Sequence, residues 1–343
     1  MQPDREDAPE IDPLTGDVQP TSEPADDEIR SLVDEMKITL DKLVRDKASR
    51  GDVKLVQTAL AELRYAFKVF GKLKGRRKVS VFGSARTPVD DPNYLLAEEF
   101  GRKIAALGYM VITGAACGIM EAGHQGAGRE ASIGLNIMLP FEQKSNPVIF
   151  GDDKLMHMKY FFTRKLLFIK ESDAIVLFPG GFGTHDEGFE ALTLVQTGKS
   201  HLFPLVLVAA PGDDYWVKWV EFVEGVLVPR RMVSPEDVAL FKLCHTADEA
   251  AEEIQTFYRV YHSSRYVKRD LVLRMQKSLP ESLMADIRVE FKDICVSGTF
   301  EQTAALPLEK NEGHLSHLPR LVFRFDRHHH ARLRQLIDRI NQS

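Results

Sequence analysis

The stretch "DAIVLFPGGFGTHDEGFEAL", residues 173–192, contains three kinds of local structure in a row. Its segment "AIVLF" is a short apolar run, typical of a strand that is buried on both faces. The segment "PGGFG" interrupts that run with three glycines, and the residues from His185 onward have helical spacing. A strand, a glycine turn and a helix in this order predict one unit of a parallel sheet, with a turn that lets a ligand approach the backbone closely.

Strands and helices alternate in the same way on both sides of this stretch. The strand-like segments are "VSVFGSA", "YMVITG", "SIGLNIMLP", "AIVLFP", "FPLVLVA" and "VALFKLC". Helical spacing is found over residues 94–107, from residue 119, over 161–172, from 185, over 215–227 and over 247–261. Short apolar strands joined by helices predict an α/β fold: a doubly wound, Rossmann-like parallel-sheet domain over residues 76–262.

The flanking regions differ in composition from this domain. Residues 1–27 are rich in Pro, Asp and Glu and are expected to be a disordered acidic tail. Residues 28–75 are expected to form an N-terminal helical segment of two helices that ends in a basic linker, "KLKGRRK". Beyond residue 262 the alternation weakens, and residues 263–343 are expected to form a small C-terminal α+β extension.

Composition excludes several classes of function. The net charge of −5 and the pI near 6.1 argue against binding to a nucleic-acid backbone. The acidic start and the lack of a long apolar run predict a cytoplasmic protein without membrane contact. The three cysteines have neither disulfide nor zinc spacing, and the consecutive histidines 328–330 cannot all face one ion. We therefore expect no metal and no cofactor.

Three glycine-containing turns follow predicted strands, at residues 83–86, 114–118 and 179–184. The carboxyl ends of parallel strands share one edge of the sheet, where ligands bind. Glycines allow backbone N–H groups to point at an anion, and the helix that follows each turn favours negative charge. The three turns together predict a phosphate site, although a single one could serve packing alone.

Glu187 has two interpretations from the sequence alone. It stands one turn beyond the glycine turn, where a carboxylate could act on a bound ligand. "THDE", residues 184–187, is also a capping box, in which Thr184 caps the helix and Glu187 bonds back to its start. Arg164 and Lys165, in "FFTRKLLF", could likewise be part of the solvated face of a helix.

The motif "PGGFGTHDE" resembles the PGGxGTxxE signature of the LONELY GUY family, long called lysine decarboxylase-like, and "TRK" falls where that family carries a paired Arg-Lys. The segments "VFGSAR", "GIMEAGHQGA", "SIGLNIMLPFEQ" and "RLRQLIDRIN" resemble its longer bacterial branch. The likeness runs from about residue 79 to the C-terminus.

The resemblance implies a hydrolase, a nucleoside 5′-monophosphate phosphoribohydrolase that releases a free base and ribose 5-phosphate. Its substrate is a cytokinin riboside monophosphate in some relatives and an ordinary purine or pyrimidine nucleotide in others. It implies a homo-oligomer, a dimer or larger. It also implies that Glu187 is the catalytic carboxylate and Arg164 its partner. The residues expected to hold the phosphate and ribose are Gly180, Gly181, Gly183, Thr184, Gly83, Ser84, Gly114, Gly118, Glu121 and Lys165.

One turn departs from the family pattern, and this keeps a second function open. Where the longer branch reads TGGGPGIMEA, this chain has Ala115, Ala116 and Cys117 in place of Gly-Gly-Pro. Alanine tolerates positive φ poorly, and we expect its methyl group to intrude on a close ligand. The alternative is a non-catalytic nucleotide sensor or carrier. A pyridoxal-phosphate decarboxylase, suggested only by the older family label, lacks a convincing Schiff-base lysine. Neither the base that is cleaved nor the oligomer size follows from the sequence.

Overall fold

The computed structural model describes residues 26–139, 144–309 and 313–343. The predicted acidic tail lies almost entirely outside these ranges. No helix within them is both long enough and apolar enough to cross a membrane. The helices are α1 (Asp26–Arg45), α2 (Arg50–Gly71), α3 (Pro92–Ala106), α4 (Ile119–Ala127), α5 (Phe161–Lys170), α6 (Phe182–Gln196), α7 (Tyr215–Phe222), α8 (Ala247–Phe257), α9 (Glu281–Glu290) and α10 (His330–Asn341).

A seven-stranded parallel sheet confirms the predicted Rossmann-like α/β fold. Six of its strands match the predicted segments, and the seventh, "LMHM", was missed because methionine and histidine give a four-residue strand little β signal. The strands are β1 (Lys78–Phe82), β2 (Met110–Thr113), β3 (Ser132–Ile137), β4 (Leu155–Met158), β5 (Ala174–Leu177), β6 (Leu205–Val208) and β7 (Phe241–Cys244).

The strand order, β4-β3-β2-β1-β5-β6-β7, places a change of direction at the centre of the sheet. The chain builds outward from β1 to β4 and then returns to β5, which pairs with the other side of β1. Loops on either side of such a switch point diverge and leave a crevice at the carboxyl ends of the strands. The turns after β1 and β5 therefore lie where a ligand is expected.

Helices α3 and α4 approach each other closely beside this crevice, and glycines make the approach possible. A β-carbon at Gly126 would lie 1.8 Å from the Glu98 carbonyl oxygen, and one at Gly101 would lie 2.4 Å from the Gly123 carbonyl oxygen. The glycines of "GIMEAGHQGA" thus serve helix packing as well as the preceding turn. This packing sets the position at which α4 begins.

The chain divides into two compact units, one of which comprises Tyr65–Val260 together with Asp326–Ser343 and contains the parallel sheet. In that unit Arg334 of α10 donates to Glu253 of α8, and both are buried. The other unit contains a four-stranded antiparallel sheet in the order β10-β11-β9-β8, with β8 (Tyr261–Val267), β9 (Asp270–Met275), β10 (Glu301–Thr303) and β11 (Arg320–Phe323). The sequence predicted one extension over residues 263–343, but its last helix groups with the parallel sheet. The domain boundaries themselves stay predictions.

Candidate active site

Backbone hydrogen bonds join the three predicted glycine turns at the switch point. The Ser84 N–H donates to the Pro179 carbonyl oxygen at 3.0 Å, and the Ser84 carbonyl accepts from the Ile119 N–H at 3.1 Å. Ser84, in the turn after β1, therefore contacts both the turn after β5 and the helix start after β2. The structure brings together the turns that the sequence predicted, although the amide of Ser84 is already used in holding them.

Four of the predicted glycines lie where this packing leaves little room for a side chain. A β-carbon at Gly118, where φ is +66°, would lie 2.3 Å from the Ser84 carbonyl oxygen. One at Gly180 would lie 2.1 Å from the Thr184 hydroxyl oxygen. Gly83 and Gly114 are crowded in the same way, by the Ile119 and Met120 side chains respectively. At these positions the packing interpretation of the glycines is sufficient.

Gly181 and Gly183 are different, because a β-carbon at either would meet nothing within 4 Å. They flank the first residue of α6, and Gly181 is the N-cap of that helix with no side chain bonded to it. The first N–H groups of a helix have no partners within it and attract anions. This start of α6 is therefore the open part of the turn.

The structure contradicts the capping-box interpretation of Glu187. Helix α6 begins at Phe182 rather than at His185, so Thr184 is inside the helix and its N–H donates to the Gly181 carbonyl at 3.0 Å. Helix propensity did not predict this start, because glycines occupy the N-cap and the second helical position. Glu187 lies in the second turn and makes no bond back to the helix start.

Glu187 is a buried carboxyl group without a full set of partners. It is 4% exposed, and its Oε2 atom has no hydrogen-bond partner among the described residues. Burial raises its pKa from an ordinary value of 4.5 to about 7, although the charges of Lys165 and Arg164 act in the opposite direction. Burying a carboxyl group with an oxygen that lacks a partner costs free energy of folding. Such groups are typical of functional sites rather than of structural ones.

Arg164 lies in the first turn of α5, which follows the carboxyl end of β4. Burial lowers its pKa, and the charges of Glu187 and Asp186 counteract that effect. One of its Nη atoms is 3.6 Å from the position a β-carbon would take at Gly114, and its guanidinium is 5.0 Å from the ring centre of Phe161. Its Nε atom, like Oε2 of Glu187, is buried and has no hydrogen-bond partner within the described ranges. The guanidinium therefore lies beside the second turn, and its charge acts on Glu187.

Lys165 contacts acidic side chains of α6 instead of solvent. Its Nζ atom is 2.6 Å from Oδ2 of Asp186 and 2.7 Å from Oε2 of Glu190. Burial alone would lower its pKa, but these two bonds outweigh burial and the pKa is raised. Lys165 therefore joins α5 to α6 beside Glu187, and its ammonium is already paired.

Glu121, in the first turn of α4, acts on a different residue. Its charge contributes to the raised pKa of Tyr94, of which burial is the main cause, and Tyr94 donates from its hydroxyl to Gln125 at 3.1 Å. The charges that act on Glu187 are those of Lys165, Arg164, Asp186 and Glu190. The expected ribose or base contact of Glu121 stays a prediction.

The alanine-containing turn after β2 is held by a buried polar network. Asn146 accounts for both alanine carbonyls, since its N–H donates to Ala115 at 2.8 Å and its Nδ2 atom donates to Ala116 at 3.2 Å. The same Nδ2 is 3.2 Å from Nδ1 of His124, whose Nε2 lies 3.1 Å from the Ile133 carbonyl. A carbonyl only accepts, so Nε2 carries the proton and Nδ1 accepts from Asn146. Burial lowers the pKa of His124 to about 4, which keeps the ring neutral.

This network changes the expected effect of the alanines. Ala115 does adopt positive φ, +59°, but its side chain is fully buried with Ile149 and Leu155. A β-carbon at Gly134 would lie 3.0 Å from that methyl group. The methyl group therefore packs beneath the turn, and the expectation that it would intrude on a ligand was wrong for Ala115.

Two residues that contact this edge carried no clear sequence signal. The Tyr215 hydroxyl donates to the Gly180 carbonyl and lies 2.7 Å from Nε2 of His185. Tyr215 begins the helix after β6, so its place at the same sheet edge was the available clue. Asn146 follows no periodic pattern and could not have been identified in advance.

Part of the chain is similar to a known protein family and to a named relative. Residues 114–254 match the family model described as "Possible lysine decarboxylase". Over 197 residues the chain is 25% identical to the probable cytokinin riboside 5′-monophosphate phosphoribohydrolase LOGL5 of Oryza sativa subsp. japonica, covering 56% of this chain and 77% of that protein.

The solved structures to which the chain is similar include a molybdenum cofactor binding protein and a molybdenum cofactor carrier protein. The molybdenum cofactor binding protein of Rippkaea orientalis is 18% identical with a TM-score of 0.38, over 53% of this chain and 98% of that one. The molybdenum cofactor carrier protein of Chlamydomonas reinhardtii is 19% identical with a TM-score of 0.37, over 52% and 96%.

The matched segment contains the alanine turn, Arg164, the open glycine turn and Glu187. Residues 114–254 are therefore similar to the family that this model describes.

Proposed function

We propose that this protein hydrolyses the N-glycosidic bond of a nucleoside 5′-monophosphate and releases the free base and ribose 5-phosphate. The observation that carries the proposal is Glu187, a buried carboxyl group with an unpartnered oxygen one turn beyond an open, uncapped helix start. The family relationship supports the same reaction.

The start of α6 would bind the 5′-phosphate. Gly181 and Gly183 leave space there, and the N–H groups of the first turn supply donors without a competing side chain. A phosphate held at this point fixes the ribose within reach of the next turn of the helix, where Glu187 lies. Such positioning lowers the entropic cost of the reaction.

Glu187 would act in its ionised form. Departure of the base leaves positive charge on the sugar ring, and a carboxylate beside the ring stabilises that charge and can orient the attacking water. With a pKa of about 7, Glu187 ionises close to neutral pH. Its unpartnered Oε2 is free to accept a hydrogen from that water.

Arg164 would balance the charge of the bound substrate. Its planar guanidinium stays protonated despite burial and offers donors to phosphate or to the departing base. Phe161, at 5.0 Å, and Phe168, at 5.8 Å, border the guanidinium and limit its exposure to water. Lys165, already paired with Asp186 and Glu190, would instead adjust the charge around Glu187.

For the base that is cleaved, the proposal extends only to a class of substrates. The rice relative is named for a cytokinin riboside monophosphate, which shares its phosphate and ribose with the ordinary purine and pyrimidine nucleotides. We propose the nucleoside monophosphates as the substrate class.

The test is release of free base from adenylate, guanylate, the pyrimidine monophosphates and a prenylated adenylate by the purified full chain. Glu187→Gln and Arg164→Ala should each lower kcat by about 10²–10³-fold, the usual cost of removing one preorganised electrostatic group. Glu252→Gln, an exposed glutamate on α8, is the matched control and should keep full activity. Binding of a nucleotide without release of base would favour the sensor or carrier alternative.

A further inference from the structure

Helix α1 carries an apolar stripe that no other described part of the chain covers. Its residues repeat at intervals of three and four, as in the seam of a coiled coil. Their exposed fractions range from 40% for Leu40 to 75% for Val44, and the stripe consists of Ile29, Leu32, Val33, Met36, Leu40 and Val44, with the half-buried Leu43 beside them. An isolated helix of 20 residues is marginal in water, so burial of this stripe would stabilise it.

The charges of α1 are divided between its two halves. The first half carries Asp27, Glu28, Asp34 and Glu35 against a single Arg30, and the second half carries Lys37, Lys42 and Arg45 against a single Asp41. Two such helices in antiparallel orientation would place each acidic half against a basic half. In parallel orientation the like halves would meet.

We propose that α1 is a dimerisation helix that packs against α1 of a second copy of this chain in antiparallel orientation. The stripe is nearly symmetric about Met36, with Leu32 and Leu40 at equal distances along the chain and Ile29 and Leu43 beyond them. A two-fold axis at Met36 would bring Met36 against its own copy, Leu32 against Leu40 and Ile29 against Leu43. A two-fold interface of this kind is self-complementary, as closed dimers require.

The charge division alone does not require a partner, because acids at a helix start and bases at its end also match the helix dipole. The apolar stripe is the independent observation, since the dipole gives no reason for six exposed apolar side chains on one face. This proposal does not rest on the proposed enzymatic activity.

Cysteine cross-linking of the full chain tests the orientation directly. In a background with Cys117 and Cys295 replaced by serine, the variants Met36→Cys, Ile29→Cys and Leu43→Cys are oxidised at micromolar concentration, alone and in mixtures. Cys244 is buried and can stay. Ser31→Cys, on the opposite face of α1, is the matched control.

The proposal predicts that Met36→Cys cross-links to itself and that Ile29→Cys cross-links with Leu43→Cys in a mixture. Neither of the latter two should cross-link efficiently alone, and Ser31→Cys should not cross-link. Self-cross-linking of all three stripe variants would show a parallel pair and overturn the orientation. The dimerisation helix itself would be overturned if no stripe position formed an intermolecular cross-link. This holds at concentrations where sedimentation shows that the variants keep the oligomeric state of the wild type.

Discussion

Glu187 in the parallel-sheet unit and Glu309 in the smaller unit are both buried glutamates with two basic side chains nearby, yet their pKa values move in opposite directions. Glu309 accepts from Arg274 at 2.9 Å, from Arg320 at 3.0 Å and from the Leu306 N–H at 3.0 Å. Burial alone would raise its pKa, but these bonds outweigh burial and the pKa is lowered. Both of its oxygens have partners, so its charge is fully committed to the structure.

Glu187 lacks that set of bonds. Its Oε2 atom has no partner among the described residues, and its pKa is raised to about 7. The neighbouring Lys165 is paired with Asp186 and Glu190 instead. The comparison teaches that hydrogen bonding, more than burial or the number of nearby cations, separates a structural carboxylate from one that is available to a ligand.

The largest effect on stability is expected at the fully bonded site. Glu309→Gln leaves two buried guanidinium groups without their shared counter-charge and should lower the free energy of unfolding by about 3–5 kcal/mol. Denaturant unfolding measures this, with the exposed Glu301→Gln as the control. A loss below about 1 kcal/mol would mean that the bonds of Glu309 to Arg274 and Arg320 do not stabilise the fold.

Glu187→Gln should have the opposite effect on stability. The folded pKa of about 7 lies above the ordinary 4.5, so the folded state holds the proton more tightly and stability falls as pH rises from about 4.5 to 7. Full ionisation costs about 3 kcal/mol at about 1.4 kcal/mol for each pKa unit. The variant should therefore unfold at a higher temperature than the wild type at pH 8 and at nearly the same temperature at pH 4. Equal melting temperatures at pH 8 would contradict the raised pKa.

Lys165→Met should change the pH dependence of turnover more than its maximum. The charge of Lys165 lowers the pKa of Glu187, so its removal should move the rising limb of the pH–rate profile to higher pH. Lys170→Met, on an exposed position of the same helix, serves as the control. An unshifted profile with a raised KM would instead assign Lys165 to phosphate binding.

The smallest effect is expected from Ala115→Gly. Glycine would relieve about 1–2 kcal/mol of left-handed backbone strain but would lose a buried methyl group, about 0.8 kcal/mol, and would add freedom to the unfolded chain. The stability change should stay within about 1 kcal/mol, and KM for a nucleoside monophosphate should not change. A clear fall in KM would show that the methyl group does obstruct the ligand.

The sequence predicted the sheet and the meeting of its three turns because both depend on short-range patterns. Apolar strands alternating with helices fix the parallel topology, and strand ends in such a sheet share one edge. The weakly β-forming β4 and the antiparallel pairing of β8 with β9 lacked that alternation. The sequence did not predict the order of the strands in the sheet, because that order depends on which strands pair in the folded chain.

The individual roles at the site were less predictable, since they depend on contacts distant in the chain. Gly180 and Gly181 are adjacent, yet one is crowded by Thr184 and the other is open. Lys165 was grouped with Arg164, but its pairing with Asp186 and Glu190 on α6 separates their roles. No local pattern indicated that Asn146 would hold the alanine turn.

The role of Glu187 is tested most directly by a titration of its side chain with carbon-detected nuclear magnetic resonance, in which Glu187→Gln identifies its signal. We expect a midpoint near pH 7, well above that of exposed glutamates in the same spectrum. A midpoint at or below 4.5 would mean that the Glu187 carboxylate is stabilised by bonds like those of Glu309, and it would contradict the assignment of Glu187 as the available acid of the site.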